Sequence, residues 1–264
     1  MKPHQMKPGP EFDTKCIGKL RIIPLVFLFT ILFLNQVAAQ RPEETEDWSR
    51  KPEEVTPGMG TRPPSDAIVL FGGPADKDKW VGVDGRPVSW KVEDVLTVVP
   101  KSGDIQTKQH FGDVQLHIEW CTPEEIDGGG QERGNSGIYL MGLYEIQVLD
   151  SYKNETYYNG QAGSVYKQYI PLVNACRPPG KWQVFDILFT APRFSTDGSM
   201  VTPAYMTIIH NGVFIQNHVA LLGATVYSGK PVYWKHEDRL PLVLQDHACP
   251  VSFRNIWIRE LNAP

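Results

Sequence analysis

Phe111-Gly112-Asp113-Val114-Gln115-Leu116-His117-Ile118-Glu119-Trp120 is the stretch on which the reading of the fold turns. Val114, Leu116, Ile118 and Trp120 alternate with Gln115, His117 and Glu119. Side chains of an extended chain point to opposite sides in turn, so this is a strand with one face in a core and a polar face opposite. Further along, Tyr144-Glu145-Ile146-Gln147-Val148-Leu149-Asp150 repeats the pattern, with Glu145 and Gln147 opposite Tyr144, Ile146 and Val148. Asp150 is out of phase unless a bulge at Val148-Leu149 re-aims it.

Outward from these two segments, short apolar or alternating runs continue from Ala67, broken by Gly, Pro, Asn or Asp, with no long amphipathic helix among them. Strands are expected at 68–71, 89–92, 95–98, 114–120, 137–141, 144–149, 182–190, 205–210, 213–218, 242–245 and 252–259. Asn211-Gly212 demands positive φ at both central turn positions and marks a tight hairpin. The expected fold is all-β, a jelly-roll β-sandwich of two antiparallel sheets, in one domain spanning 66–264.

The N-terminus carries Lys15, Lys19 and Arg21, an apolar run from Ile22 to Leu34, and small residues at Val37-Ala38-Ala39. That pattern is a signal peptide, 1–39, whose apolar run is shorter than the ~20 residues that span a bilayer. The expectation is an exported protein, periplasmic or extracellular, with no membrane attachment after cleavage. Residues 40–65, rich in Pro and Glu, are expected to be a flexible linker. A net charge of -4 and a pI near 6.0 argue against a nucleic-acid partner. Of the four cysteines, Cys16 leaves with the leader; Cys121, Cys176 and Cys249 remain, as one bridge plus a thiol or as three buried thiols. Their spacing resembles no zinc site.

A solvated outer face would explain either polar strand alone. Composition adds something: the two faces carry His, Gln, Glu and Asp and no Lys, groups that bind hydroxyls and move protons. A third cluster, Gln245-Asp246-His247, closes an apolar strand, and a carboxylate beside an imidazole fixes its tautomer. In Phe253-Arg254-Asn255-Ile256-Trp257-Ile258, straight alternation puts Phe253, Asn255 and Trp257 on one face and Arg254, Ile256 and Ile258 on the other. Residues 128–137 read as a glycine-rich loop over the sheet, without the Gly-Lys-Ser/Thr of a phosphate loop. Tyr152, Tyr157, Tyr158, Tyr166 and Tyr169 offer aromatic faces to sugar C–H surfaces.

Taken in order and spacing, 111–120, Arg133-Gly134-Asn135-Ser136-Gly137-Ile138-Tyr139-Leu140, 144–152, Leu244-Gln245-Asp246-His247 and 253–258 resemble the 3-keto-disaccharide hydrolase family. The resemblance implies a concanavalin-like jelly roll acting on glycosides whose glucose carries a 3-ketone. A ketone at C3 acidifies the C2 proton; a base that removes it lets C1 expel the aglycone oxygen, and water adds to the enone. Such a site needs a base, an acid for the leaving oxygen and a donor at the ketone. The expected catalytic residues are Glu119 or His117 as base and His247 with Asp246 as acid. Gln115, Asn135, Tyr139, Glu145, Gln147, Asp150, Gln245 and Arg254 are expected to contact substrate. A divalent metal polarising the ketone would draw on Glu119, Glu145, Asp150 and His247. One site would hold them all, with 115, 117 and 119 beside 145 and 147.

Two other readings use the same residues. The 145–150 segment looks like the active strand of laminarinase-type glycoside hydrolases, although retention there needs two carboxyl groups about 5 to 5.5 Å apart and here an amide and a shorter acid stand in. A carbohydrate-binding module without catalysis would use a flat aromatic platform and no titratable cluster.

Overall fold

A computed structural model describes residues 41–261, so the expected leader lies outside the described residues. The chain divides into two compact units, 1–54 and 55–264. The described part of the first holds a short 3-10 turn, Pro42–Thr45, and an exposed Lys51–Glu54 ion pair at 3.0 Å. All that follows concerns the second.

Its strands are β1 (Ile68–Phe71), β2 (Trp80–Gly82), β3 (Lys91–Val92), β4 (Leu96–Thr97), β5 (Ile105–Phe111), β6 (Val114–Cys121), β7 (Ser136–Leu140) and β8 (Tyr144–Val148). They continue with β9 (Gln183–Thr190), β10 (Arg193–Phe194), β11 (Met200–Thr202), β12 (Tyr205–His210), β13 (Val213–Ala220), β14 (Leu240–Leu244) and β15 (Ser252–Glu260). An eight-stranded sheet runs β13-β12-β9-β6-β15-β4-β3, with β1 also paired to β15; a five-stranded sheet runs β2-β5-β14-β7-β8. Every ladder is antiparallel. The antiparallel β-sandwich expected from the alternation is the fold of the chain.

The core lies between the sheets. Leu116, Ile118 and Trp120 of β6 and Phe185, Ile187 and Phe189 of β9 meet Tyr144, Ile146 and Val148 of β8 and Ile138 of β7, all at most 1 % exposed. Tyr144 bridges the layers, its ring 5.6 Å from that of Phe189. Each such side chain contributes roughly 1.5–3 kcal/mol by leaving water. Since the even positions of β6 and of β8 both point inward, their polar partners point outward from opposite sheets. Gln115, His117 and Glu119 therefore stand on the far side of the molecule from Glu145 and Gln147. This overturns the expectation that they share one site: alternation fixes which residues turn from the core but not which sheet a strand joins.

Three local features depart from simple patterning. β5 was hidden in the sequence because its inward positions are Ile105 and Thr107; the Thr107 hydroxyl donates to Gln109 O and accepts from Leu242 N, where the β5–β14 register shifts. On β15 the straight alternation fails. The β6 register steps from Arg254↔Glu119 to Trp257↔His117, and Asn255 adopts φ 45°, a bulge for which an Asn side chain is suited. Phe253, Ile256 and Ile258 thus face the core together, while Arg254 and Trp257 face outward. Third, residues 55–65 of the expected linker lie on the eight-stranded sheet, where Thr61 O accepts from Asn255 Nδ2 at 2.8 Å and Trp257 Nε1 at 3.3 Å. The Asn211-Gly212 turn is as expected, with φ of 52° and 84°. Cys121, Cys176 and Cys249 are free thiols, and burial pushes the Cys176 thiol up to about 12.

Candidate active site

The outer face of the five-stranded sheet carries a cleft of about 350 Å³, and its floor is set by two rows of residues paired across the strands. Register aligns Gln106 of β5, Val243 of β14, Tyr139 of β7 and Glu145 of β8 in one row. In the next, Gly137 pairs with Gln147, Gln245 N donates to Gly137 O, and Asp104 precedes β5 at the same level, its Oδ1 accepting from Asp246 N at 2.8 Å. A β-carbon on Gly137 would lie 2.8 Å from the Tyr139 ring and 2.9 Å from Glu145 Oε1. Glycine here leaves room for the Glu145 carboxyl to lie over the strand.

Around this floor the loops are fixed by hydrogen bonds. In the glycine-rich loop Gly130 N donates to Asn154 Oδ1, Gln131 Nε2 donates to Thr156 Oγ1 and Gly160 O, and Asn135 Nδ2 donates to Gln131 O. That loop brings Gln131, Glu132 and Asn135 to the cleft, and Asn135 Oδ1 accepts from Gln147 Nε2 at 2.8 Å. Thr225 Oγ1 accepts from Glu145 N at 3.0 Å and holds a second loop against the cleft, with Tyr227 beyond it. Tyr157 and Tyr166 form a further wall, their hydroxyls 2.7 Å apart. His247 is exposed at the rim.

Glu145 is only 3 % exposed, and burial, opposed by a hydrogen bond from the Tyr139 phenol and reinforced by the charge of Asp104, lifts its carboxyl from 4.5 to about 7. Burial also raises Tyr139, with the neighbouring Glu145 adding to it, so the phenol stays protonated. Gln245 Nε2 donates to the Tyr139 oxygen at 3.2 Å. Asp104 is raised by burial as well. A buried carboxyl that titrates near neutrality, wired to a phenol that does not, is suited to taking a proton from carbon and returning it.

Six of the residues expected from the sequence meet in this cleft: Asn135, Tyr139, Glu145, Gln147, Gln245 and His247. The others do not. Glu119 accepts from Arg254 Nε at 2.7 Å and Asn255 Nδ2 at 2.9 Å; burial alone would raise its carboxyl, but these bonds and the charges of Arg254 and His117 hold it below the usual range. His117 Nδ1 is 2.6 Å from Asp186 Oδ1, and its ring stacks on Trp257 at 5.0 Å. Arg254 lies over Trp182, and Gln115 shares this back face. Asp150 takes no bulge-assisted turn into the cleft: it is buried and accepts from Arg133 Nε at 2.6 Å and Tyr152 N at 3.1 Å. Asp246 accepts from Gly103 N and Ala248 N, each at 2.9 Å, so its carboxyl shapes a turn and does not orient His247.

The set expected to hold a metal is dispersed in the same way, because Glu119 is on the other face and Asp150 is bound to Arg133. Among the described residues no group of three or more His, Cys, Asp or Glu converges. Asp104, Gln131, Glu132, Thr225 and Tyr227 were not singled out from the sequence. Asp104 could have been found by reading Ile105 and Thr107 as the inward positions of a strand; Tyr227 lies in a stretch with no alternation to flag it.

Comparison with known proteins follows from this geometry. The family profile of the 3-keto-alpha-glucoside-1,2-lyase-like domain matches residues 66–259. The crystal structure of a candidate glycosyl hydrolase from Parabacteroides distasonis superposes with a TM-score of 0.81 at 53 % identity, covering 85 % of this chain and 98 % of that one. A second candidate glycosyl hydrolase from the same organism, at 23 % identity and TM-score 0.55 over 75 % of this chain and 94 % of its own, shares the fold. Among curated proteins none matches.

Proposed function

The chain belongs to the family of 3-keto-alpha-glucoside-1,2-lyase-like domains, and on that premise we propose that it cleaves 3-keto-glycosides by β-elimination and hydration, with Glu145 as the base. The observation that carries this reading is the Glu145 carboxyl, buried at the floor of the cleft and held at about 7. At neutral pH a substantial fraction is ionised, and the conjugate acid is strong enough to give the proton back.

In the first step the C2–H bond breaks, the proton passes to Glu145, and the electron pair forms an enediolate with the C3 ketone. The C1–O bond then breaks, its electrons leave on the aglycone oxygen, and His247 at the rim supplies the proton. Water adds to C1 of the enone while C2 is reprotonated, so that glycoside and water give a free 3-keto sugar and an alcohol. Tyr139, kept protonated, is available to hydrogen-bond the enediolate; Gln147, Asn135 and Gln245 offer amides to hydroxyls.

Glu145→Gln keeps the shape and removes the base. It is expected to lower turnover of a 3-keto-disaccharide by at least about 100-fold, and the wild-type kcat/KM should climb with pH as the Glu145 carboxyl ionises through about 7. Full activity in the variant, or equally fast cleavage of the unoxidised disaccharide by the wild type, would sink the proposal; the second result would favour ordinary glycoside hydrolysis.

A further inference from the structure

The two ends of the cleft differ in chemistry. Toward His247 lie Gln245 and Glu132, whose polar groups match sugar hydroxyls. Toward the other end lie Tyr157, Tyr166 and Tyr227, gathered around Lys167. The Tyr157 and Tyr166 hydroxyls are 2.7 Å apart, and Lys167 Nζ donates to Tyr227 O at 2.6 Å. That ammonium sits 4.1 Å from the Tyr227 ring centroid, 5.5 Å from Tyr166 and 5.7 Å from Tyr157. This end presents three ring faces with a positive charge among them. Tyr227 is 79 % exposed, a large aromatic held at the cleft by a lysine and left uncovered by the protein.

We propose that the Tyr157–Tyr166–Tyr227 end is the leaving-group subsite and that it selects an aromatic aglycone, so that the preferred substrates are aryl 3-keto-glucosides. The inference rests on the elimination reading above. A planar phenol needs only faces, which stack favourably with offset or edge geometry. The reaction step also fits. When the C1–O bond breaks, its electron pair goes to the phenolic oxygen and the C2 proton is on Glu145; a phenolate, unlike the alkoxide of a disaccharide, leaves without a proton from His247 at the opposite end, and it takes one from water beside the Lys167 cation.

The test compares the 3-ketones of 4-nitrophenyl glucoside and of a glucose disaccharide as substrates. The wild type is expected to favour the aryl compound in kcat/KM, Tyr227→Ala to reduce that preference roughly tenfold, and Tyr227→Phe, which keeps the ring, to preserve it. Equal loss on both substrates in Tyr227→Ala, or a wild-type preference for the disaccharide, overturns the inference while leaving the elimination reading intact. Calorimetric binding of phenyl glucoside against methyl glucoside separates the two ideas further. If neither 3-ketone is cleaved, the elimination reading fails, and tighter binding of the phenyl compound that is lost in Tyr227→Ala still upholds the subsite; equal binding of both overturns it.

Discussion

Glu145 links chemistry to stability. Below about pH 4.5 its carboxyl is protonated in folded and unfolded chains alike, and burial is without penalty. Between pH 4.5 and about 7 the unfolded chain releases a proton that the folded chain retains, so stability falls as pH rises through that window. Above it the loss is complete, of order ~3 kcal/mol from the size of the displacement. Glu145→Gln should therefore unfold at higher urea than the wild type at pH 8 and at nearly the same urea at pH 4. A variant equally or less stable at pH 8 would show that Glu145 is not held in the strained ionised form. Asp104 works at the same scale: its charge adds to the displacement of Glu145, although nothing in the sequence around Ser102-Gly103 marks it as part of a site.

At the scale of the element, the bulge in β15 assigns the back-face polar cluster its role. By re-phasing the strand it sets Arg254 and Trp257 outward, over Glu119 and His117, and lets Asn255 reach both Glu119 and Thr61 O. The result fastens residues 55–65 to the sheet and engages both Glu119 oxygens, one with Arg254 and one with Asn255. Glu119→Ala strands Arg254 and Asn255, and is expected to lower stability by about 1–3 kcal/mol, read as a lower melting temperature, with KM for the 3-keto-disaccharide unchanged. A rise in KM or a collapse of kcat at temperatures where the variant is folded would return Glu119 to the active site.

The same strand shows how far the sequence could be read. β6 and β8 alternate cleanly between large apolar and polar residues, and their existence and inward faces are legible at sight. The six residues that do meet in the cleft stand at strand positions or in motifs close to them. What alternation lacks is information about partners: β6 and β8 look alike as strings, yet one is central in the eight-stranded sheet and the other is an edge of the five-stranded one. Bulges are equally silent, because Asn255 interrupts the period of β15 by a change of φ and not by a change of polarity. Thr107 hid β5 since a hydroxyl in an inward position reads as polar until its two hydrogen bonds are known.

For the molecule as a whole, the sandwich presents two polar outer faces with a single apolar layer between them, and the face of the five-stranded sheet carries a cleft over the raised carboxyl of Glu145. On the other, Glu119 is held by Arg254 and Asn255, and the 55–65 strap borders an open hollow of about 500 Å³ reaching Gln115, His117 and Asp186. Sheet order also has a kinetic consequence. β15, the last of these strands in chain order, lies between β6 on one side and β4 and β1 on the other, so the first strand of the sandwich waits for the last. Contacts of such sequence separation make closure slow, on the order of milliseconds to seconds or longer. A chain ending before residue 252 is expected to show no cooperative unfolding transition by tryptophan fluorescence, and a sharp transition would contradict the central place of β15. During synthesis the edges of β6 and β1 stay open until residues 252–260 leave the ribosome, and the nascent polypeptide remains for that interval a chain without a finished sheet, dependent on whatever keeps exposed strands from pairing with their neighbours.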